Sequence, residues 1–323
     1  MIKIGIIGAG FMGQTHAQCY QALTGKYDFQ VTAVADACPE NARRTAELFG
    51  AAVYPDGLSL INNADINTVD ICLPTYLHTG QMIAAMEKGY HVLVEKPVCL
   101  TESEASELIK VRQRTGVEVM VAHCIRFWDE YAYLKGLVTG GEYGKFISGN
   151  FVRISPKPDW YWDGWGHDRK KSGSAVLDMH IHDVDFVRYL LGEPTRVKSV
   201  VTSSRDGNPE HVYALYQYPD QAVSIEGGWD YPASLPFEMS YRVKFEAATV
   251  IFNSNEKPTV TVFPEDGNVF GLEFPCNSNI SSGYWNEIEY FLQTLTNQAK
   301  ISNATLEDAV ASLKLLIREI GES

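Results

Sequence analysis

The chain contains no CxxC pair, and its six cysteines, Cys19, Cys38, Cys72, Cys99, Cys124 and Cys276, lie too far apart in sequence to suggest a zinc cluster. No metal is expected, and the cysteines read as small apolar residues of a reducing compartment. Positive charge is also scarce. With 27 basic residues against 40 acidic ones, the formal charge of -13 gives a surface that repels phosphate backbones and anionic head groups, so neither nucleic acid nor membrane is an expected partner. A membrane span is missing as well: the uncharged stretch from Ile4 to Gly25 has the length of one but holds five glycines, three glutamines and a histidine. Its apolar core is too short and glycine-broken for a signal peptide, and a cytoplasmic protein is expected. Repeats and low-complexity linkers are absent.

What is there is ordinary for a folded protein, and 323 residues exceed what one core usually serves, so two domains are expected. From Met1 to Ala122, short β-branched runs alternate with amphipathic helices; the runs are Ile2 to Ile7, Gln30 to Ala35, Val69 to Leu73, His91 to Val94 and Val117 to Ala122. Thr101 and Glu104 form a capping box and Gly116 closes the helix that follows. This alternation predicts parallel βαβ units over residues 1–122. Beyond Ala122, runs such as Phe146 to Ile154, Val197 to Thr202, His211 to Tyr218, Ala222 to Gly228 and Thr259 to Phe263 follow one another with little helix between, and Glu287 to Leu295 and Leu306 to Ile320 are helical again. Residues 123–323 are thus expected to form an α+β domain on a largely antiparallel sheet.

Gly8, Gly10 and Gly13, with Phe11 and Met12 between them, follow the first strand and open a helix, the context in which GxGxxG cradles a dinucleotide pyrophosphate. The same glycines would also serve a purely structural turn. Asp36, at the end of the second strand, has the separation at which a carboxylate meets the ribose hydroxyls, and the whole predicts a Rossmann doubly wound sheet. A carboxylate there repels a 2′-phosphate, which favours NAD over NADP, although Arg43 and Arg44 lie nearby. Later strand ends bring Pro74, Thr75, His78, Glu95 and Lys96 to the same carboxyl edge, where ligands bind.

Gly8 to Gly13, Asp36, Glu95-Lys96-Pro97, Arg126-Phe127, the turn from Gly140 to Lys145 and the stretch Asp178 to Asp185 together resemble the Gfo/Idh/MocA oxidoreductases, the family of glucose-fructose oxidoreductase and inositol dehydrogenase. The resemblance implies a Rossmann domain followed by an α+β domain whose open sheet forms homo-oligomer contacts, in a dimer or tetramer. It also implies a catalytic trio, carried over by motif onto Lys96, Asp178 and His182. Where members commonly show consecutive glycines before the aspartate, this chain has Ser172-Gly173-Ser174.

The segment Asp178-Met179-His180-Ile181-His182-Asp183-Val184-Asp185 lies in an apolar run too long for a strand and closed by Gly192, so an α-helix is predicted. On that helix Asp178, His182, Asp185 and Tyr189 share one face and His180 lies opposite, as a core or interface histidine. A hydroxyl proton must leave as hydride leaves its carbon, and imidazole near its ordinary pKa of about 6.5 suits that task. Asp178 would orient the ring or hold a substrate hydroxyl, and Lys96 would donate a hydrogen bond to the reacting oxygen. The loop Asp159 to Trp165 brings Trp162 and Trp165 to the pocket, where indole faces suit a sugar ring, or else covers the sheet. Arg126 is a further substrate candidate, and Arg153 would contact substrate or an acid such as Asp163. The expected activity is hydride transfer between a secondary hydroxyl of a sugar, cyclitol or related polyol and NAD. Two rivals stand beside it: an NAD-dependent glycosidase working by transient oxidation, and a non-catalytic sugar- or nucleotide-responsive regulator.

Overall fold

The alternating runs of the first half build a six-stranded parallel sheet in a computed structural model that describes residues 1–205, 207–274 and 281–321. In chain order these elements are β1 (Ile2–Ile7), α1 (Phe11–Leu23), β2 (Phe29–Ala35), α2 (Pro39–Glu47), β3 (Ala52–Tyr54), α3 (Gly57–Asn63), β4 (Thr68–Ile71), α4 (His78–Glu87), β5 (His91–Glu95), α5 (Glu102–Thr115) and β6 (Val119–Ala122). The strand order is β3-β2-β1-β4-β5-β6, which reverses direction of growth between β1 and β4 and so opens a crevice at their carboxyl ends. Thr101 and Glu104 make the predicted capping box on α5, and Gly116 ends that helix in the left-handed region at φ 69°. β3 was not expected: three residues on a sheet edge, none of them buried, carry no readable period.

The next elements are α6 (Asp129–Gly140), β7 (Phe146–Pro156), α7 (Arg169–Ser172), α8 (Ile181–Leu191), β8 (Arg196–Ser203), β9 (Pro209–Gln217), β10 (Ala222–Tyr231), β11 (Glu238–Phe245), β12 (Ala248–Asn253), β13 (Val260–Pro264) and β14 (Phe270–Leu272). Their sheet runs β14-β13-β12-β11-β7-β10-β9-β8, antiparallel throughout except where β10 lies parallel to β7. Burial alternates with the pleat. On β11, Met239, Tyr241, Val243 and Phe245 point inward, and Tyr241 meets Tyr131 of α6 edge-on at 5.5 Å, while Tyr131 also meets Phe186 of α8 at 4.8 Å.

Two helices close the chain, α9 (Ser282–Thr296) and α10 (Leu306–Gly321). The chain divides into one unit of Met1–Phe127 with Cys276–Ala311, and another of Trp128–Pro275 with Ser312–Ser323. The expected second domain of 123–323 is therefore modified: α9 packs in the first unit, where Ile288, Phe291 and Leu292 join Ala17, Tyr20 and Leu23 of α1 in one apolar cluster. A helix that buries its apolar stripe against an early helix leaves no local mark of that choice. Cys276 lies outside the described residues; Cys19, Cys38, Cys72, Cys99 and Cys124 are in no disulfide among the described residues. Among the described residues no helix is long and apolar enough to cross a membrane.

Candidate active site

The turn between β1 and α1 uses its three glycines differently. At Gly8, whose φ is +94°, an added Cβ would lie 2.5 Å from the Cys72 carbonyl oxygen, and at Gly13 it would lie 1.9 Å from that of Gly8. These two are demanded by the protein's own packing. A Cβ on Gly10 would meet nothing within 4 Å, so this backbone is open to a ligand. α1 has neither a side-chain cap nor an acidic residue in its first turn, which leaves its amides and dipole to an anion. Phe11 is exposed and Met12 partly so. Beyond β2, Asp36 accepts hydrogen bonds from Ala9 N at 2.6 Å and Cys38 N at 2.7 Å. A carboxylate held in this way retains acceptor capacity for a pair of ribose hydroxyls. The open Gly10 backbone, the uncapped helix and the fixed carboxylate fit NAD.

Pro74 and Thr75 follow β4, with Thr75 buried. His78, expected at the cofactor, lies inside the strand-end turns. It has no exposed surface, its Nε2 lies 2.7 Å from the Leu73 carbonyl oxygen, and its Nδ1 lies 3.0 Å from that of Pro97. The ring ties together the turns after β4 and β5, and burial lowers its pKa. Lys96 stands partly buried just past β5. Its neighbour Glu95, 7% exposed, accepts from the Lys96 amide at 3.0 Å and turns its other oxygen toward His16 of α1. His16 and Asp70, both fully buried behind this strand end, were not anticipated.

In the second unit the predicted unbroken helix is modified. Val176–His180 form a π-turn before α8 begins at Ile181, preceded by Gly173 and Ser174 in the left-handed region at φ 77° and 64°. A serine with a Cβ is strained there, which gives a physical reason for glycines at this position. The wider turn rotates Asp178 relative to α8. Asp178 and His182 are partly exposed, whereas Asp185 is buried and accepts a hydrogen bond from Ser312 Oγ at 2.7 Å. His180 is buried as expected, its Nε2 2.7 Å from Glu319 Oε1. Asp183 is buried against Arg153, whose Nε donates at 2.7 Å. His182 is thus flanked in sequence by residues pinned to the unit's interior.

Arg153 therefore meets Asp183 rather than Asp163 and is 4% exposed. The Arg126 side chain is wholly buried, with Nη1 3.1 Å from Asp308 Oδ2 and 3.3 Å from Asn303 Oδ1. The aromatic loop divides. Trp162 is 65% exposed, while Trp165 packs on a cluster of Tyr161, Ala175, Met179 and Trp229. Tyr161 was also missed; its hydroxyl donates to Asp178 Oδ2 at 2.6 Å and holds that carboxylate from a loop seventeen residues upstream.

Residues 2–123 match the description "Oxidoreductase family, NAD-binding Rossmann fold", and residues 131–251 match "GFO/IDH/MocA C-terminal domain". The chain is 32% identical over 215 residues to levoglucosan dehydrogenase of Pseudarthrobacter phenanthrenivorans, covering 62% of this chain and 54% of that relative, and several matched relatives are likewise spanned over about half their length. With inositol 2-dehydrogenase of Rhizobium meliloti it shares 26% identity over 335 residues, or 99% and 97% of the two chains. The fold matches that of levoglucosan dehydrogenase in complex with NADH and levoglucosan, with a TM-score of 0.86 at 22% identity over 99% of this chain and 96% of the other. The chain belongs to the GFO/IDH/MocA oxidoreductase family, and its first half is an NAD-binding Rossmann domain.

Proposed function

We propose that the protein is an NAD-dependent dehydrogenase that moves hydride between nicotinamide and a secondary hydroxyl of a sugar, cyclitol or related polyol. The observation that carries this is Lys96 at the carboxyl end of a strand in an NAD-binding sheet, its neighbour Glu95 anchored from behind. The substrate class follows the relatives, which are named for levoglucosan and for inositol. When bound, NAD would supply the hydride acceptor, with the Gly10 backbone holding its pyrophosphate and Asp36 its ribose hydroxyls. Lys96 donates a hydrogen bond to the reacting oxygen as it gains alkoxide character. His182 takes the hydroxyl proton, and Asp178, oriented by Tyr161, holds a substrate hydroxyl or the imidazole. Val200, Tyr213 and Leu215 stand exposed on neighbouring strands β8 and β9, and their apolar surface supports a homo-oligomer formed through this sheet.

An absorbance screen for NADH across inositols, aldoses and anhydro-sugars tests the reading. Lys96→Ala and His182→Ala should each lower turnover by about 10² to 10⁴ while NAD affinity stays within about threefold. Full turnover in either variant removes the corresponding role. Release of an altered sugar without net NADH would assign the protein to transient oxidation instead.

A further inference from the structure

Three residues past Gly13, His16 reaches from α1 into the interior and is fully buried. Its Nδ1 lies 2.9 Å from Asp70 Oδ2 on β4, and its Nε2 lies 3.3 Å from Glu95 Oε1 on β5, within ion-pair range but outside hydrogen-bond geometry. A neutral imidazole has one N–H and one lone pair, so it can serve one carboxylate while directing its lone pair at the other. Two ionised carboxylates buried on either side of one ring cost several kcal/mol unless a positive charge stands between them.

The surrounding groups add no such charge. Cys72 Sγ lies 3.4 Å from both His16 Nδ1 and Asp70 Oδ1, and burial followed by Asp70 raises its pKa, so it remains a thiol that donates to Asp70. Glu287 of α9 has both carboxyl oxygens buried without a hydrogen-bond partner among the described residues; burial and then repulsion from Glu95 raise its pKa and so favour its neutral form. Burial likewise raises Cys19 and Tyr20 on α1 and Tyr284 on α9. For His16 itself, burial pulls the pKa down while the neighbouring Asp70 carboxylate pushes it up, and the net shift is upward. His16, Asp70 and Cys72 also come as close together as metal ligands do. Their atoms are already taken up by one another and by the thiol proton, so a proton does the bridging.

We propose that His16 is a positioning residue: as an imidazolium between Asp70 and Glu95 it locks the Glu95 carboxylate, and through the Glu95 contact with the Lys96 amide it fixes the strand end that presents Lys96. This rests on the role given to Lys96 above. It also makes one buried network join the helix of the dinucleotide turn to the lysine.

The charge is read directly in the intact protein by nitrogen NMR of labelled histidine at mildly alkaline pH, with His16→Gln used for assignment. Both ring nitrogens of His16 should carry protons where a free imidazole is neutral, and elemental analysis should find no stoichiometric metal. In kinetics, His16→Gln should lower kcat about 10- to 100-fold with KM and NAD affinity changed less than about threefold. Adding Glu95→Gln should recover part of the loss, because an amide pair leaves no carboxylate facing a lone pair. A neutral ring, a bound metal or an unchanged kcat in His16→Gln overturns the proposal. Full turnover in Lys96→Ala overturns the underlying assignment and the positioning role with it, whereas loss there with normal His16→Gln kinetics overturns the positioning role alone.

Discussion

In the first unit, the residue next to Lys96 meets a buried histidine that faces two carboxylates; in the second, the buried histidine two positions before His182 faces one. His180 needs a single N–H to satisfy Glu319, and its Nδ1 lies against Gly227 of β10. Glu319 completes its own valences with the Tyr216 hydroxyl. The ion pair of the second unit sits one residue beyond His182 instead, between Arg153 and Asp183. Both units therefore anchor the immediate sequence neighbours of a side chain for which a catalytic role is proposed. The first does so with a histidine that bridges two acids, the second with hydrogen bonds and an arginine on separate neighbours.

The largest expected effect comes from breaking the second unit's ion pair. Arg153→Leu strands Asp183 in the interior, where a long 3.5 Å contact from the Tyr131 hydroxyl remains. Removing one partner of a buried pair typically costs about 3–5 kcal/mol, which urea unfolding would read. Replacing Asp183 as well, with a residue of matching volume, should recover most of the loss, because an apolar pair pays no desolvation. A single variant within about 1 kcal/mol of the parent would show that Asp183 does not depend on Arg153.

A smaller effect should separate His180's packing from its hydrogen bond. A Cβ on Gly227 would lie 2.6 Å from His180 Nδ1 and 3.1 Å from its Cα, so the π-turn itself must move. Gly227→Ala should cost about 1–3 kcal/mol and lower kcat, because His182 moves with the turn, while NAD affinity is unchanged. Equal kcat in the variant would mean that the turn does not position His182.

These particulars mark what the amino-acid sequence carries. The glycine turn, Asp36, the strand-end lysine and the α5 caps are local, since each depends on residues within a few positions, and they were legible. So were the parallel sheet and the antiparallel character of the second half. Partners separated by long stretches of chain left no such mark. Nothing local to His16 announces Asp70, 54 residues on, and nothing local to Arg153 announces Asp183. A buried arginine and a substrate-binding arginine look alike until the partner is known, and His78 presents the same ambiguity. The π-turn escaped because stepping at a fixed helical angle cannot register an inserted residue. The strained Ser174 before it was visible only as a departure from glycine.

The smallest effect reads the charge of the first unit's histidine by pH. His16 binds its proton more tightly folded than unfolded, and so does Glu287, so the native state holds more protons than the unfolded chain above the unfolded pKa of each. The slope of unfolding free energy with pH follows protons bound in the unfolded state minus those bound in the native state, and here it is negative. The His16 contribution is fully present below about pH 6.5 and is lost as pH rises through its raised folded pKa. His78 and His91 are shifted the other way, chiefly by burial, and their effect on stability is complete by about pH 7. Cysteines, Cys19 among them at about 12, add a further loss only above about pH 8. Between about pH 7 and 8 the parent should therefore lose stability, with a ceiling of about 1.4 kcal/mol per pH unit for each group, and His16→Gln should lose less across the same interval. Urea unfolding at closely spaced pH values measures both slopes. Parallel slopes in parent and variant would mean that the first unit's histidine carries no more charge in the fold than outside it, and the contrast between the units would reduce to one of partners alone.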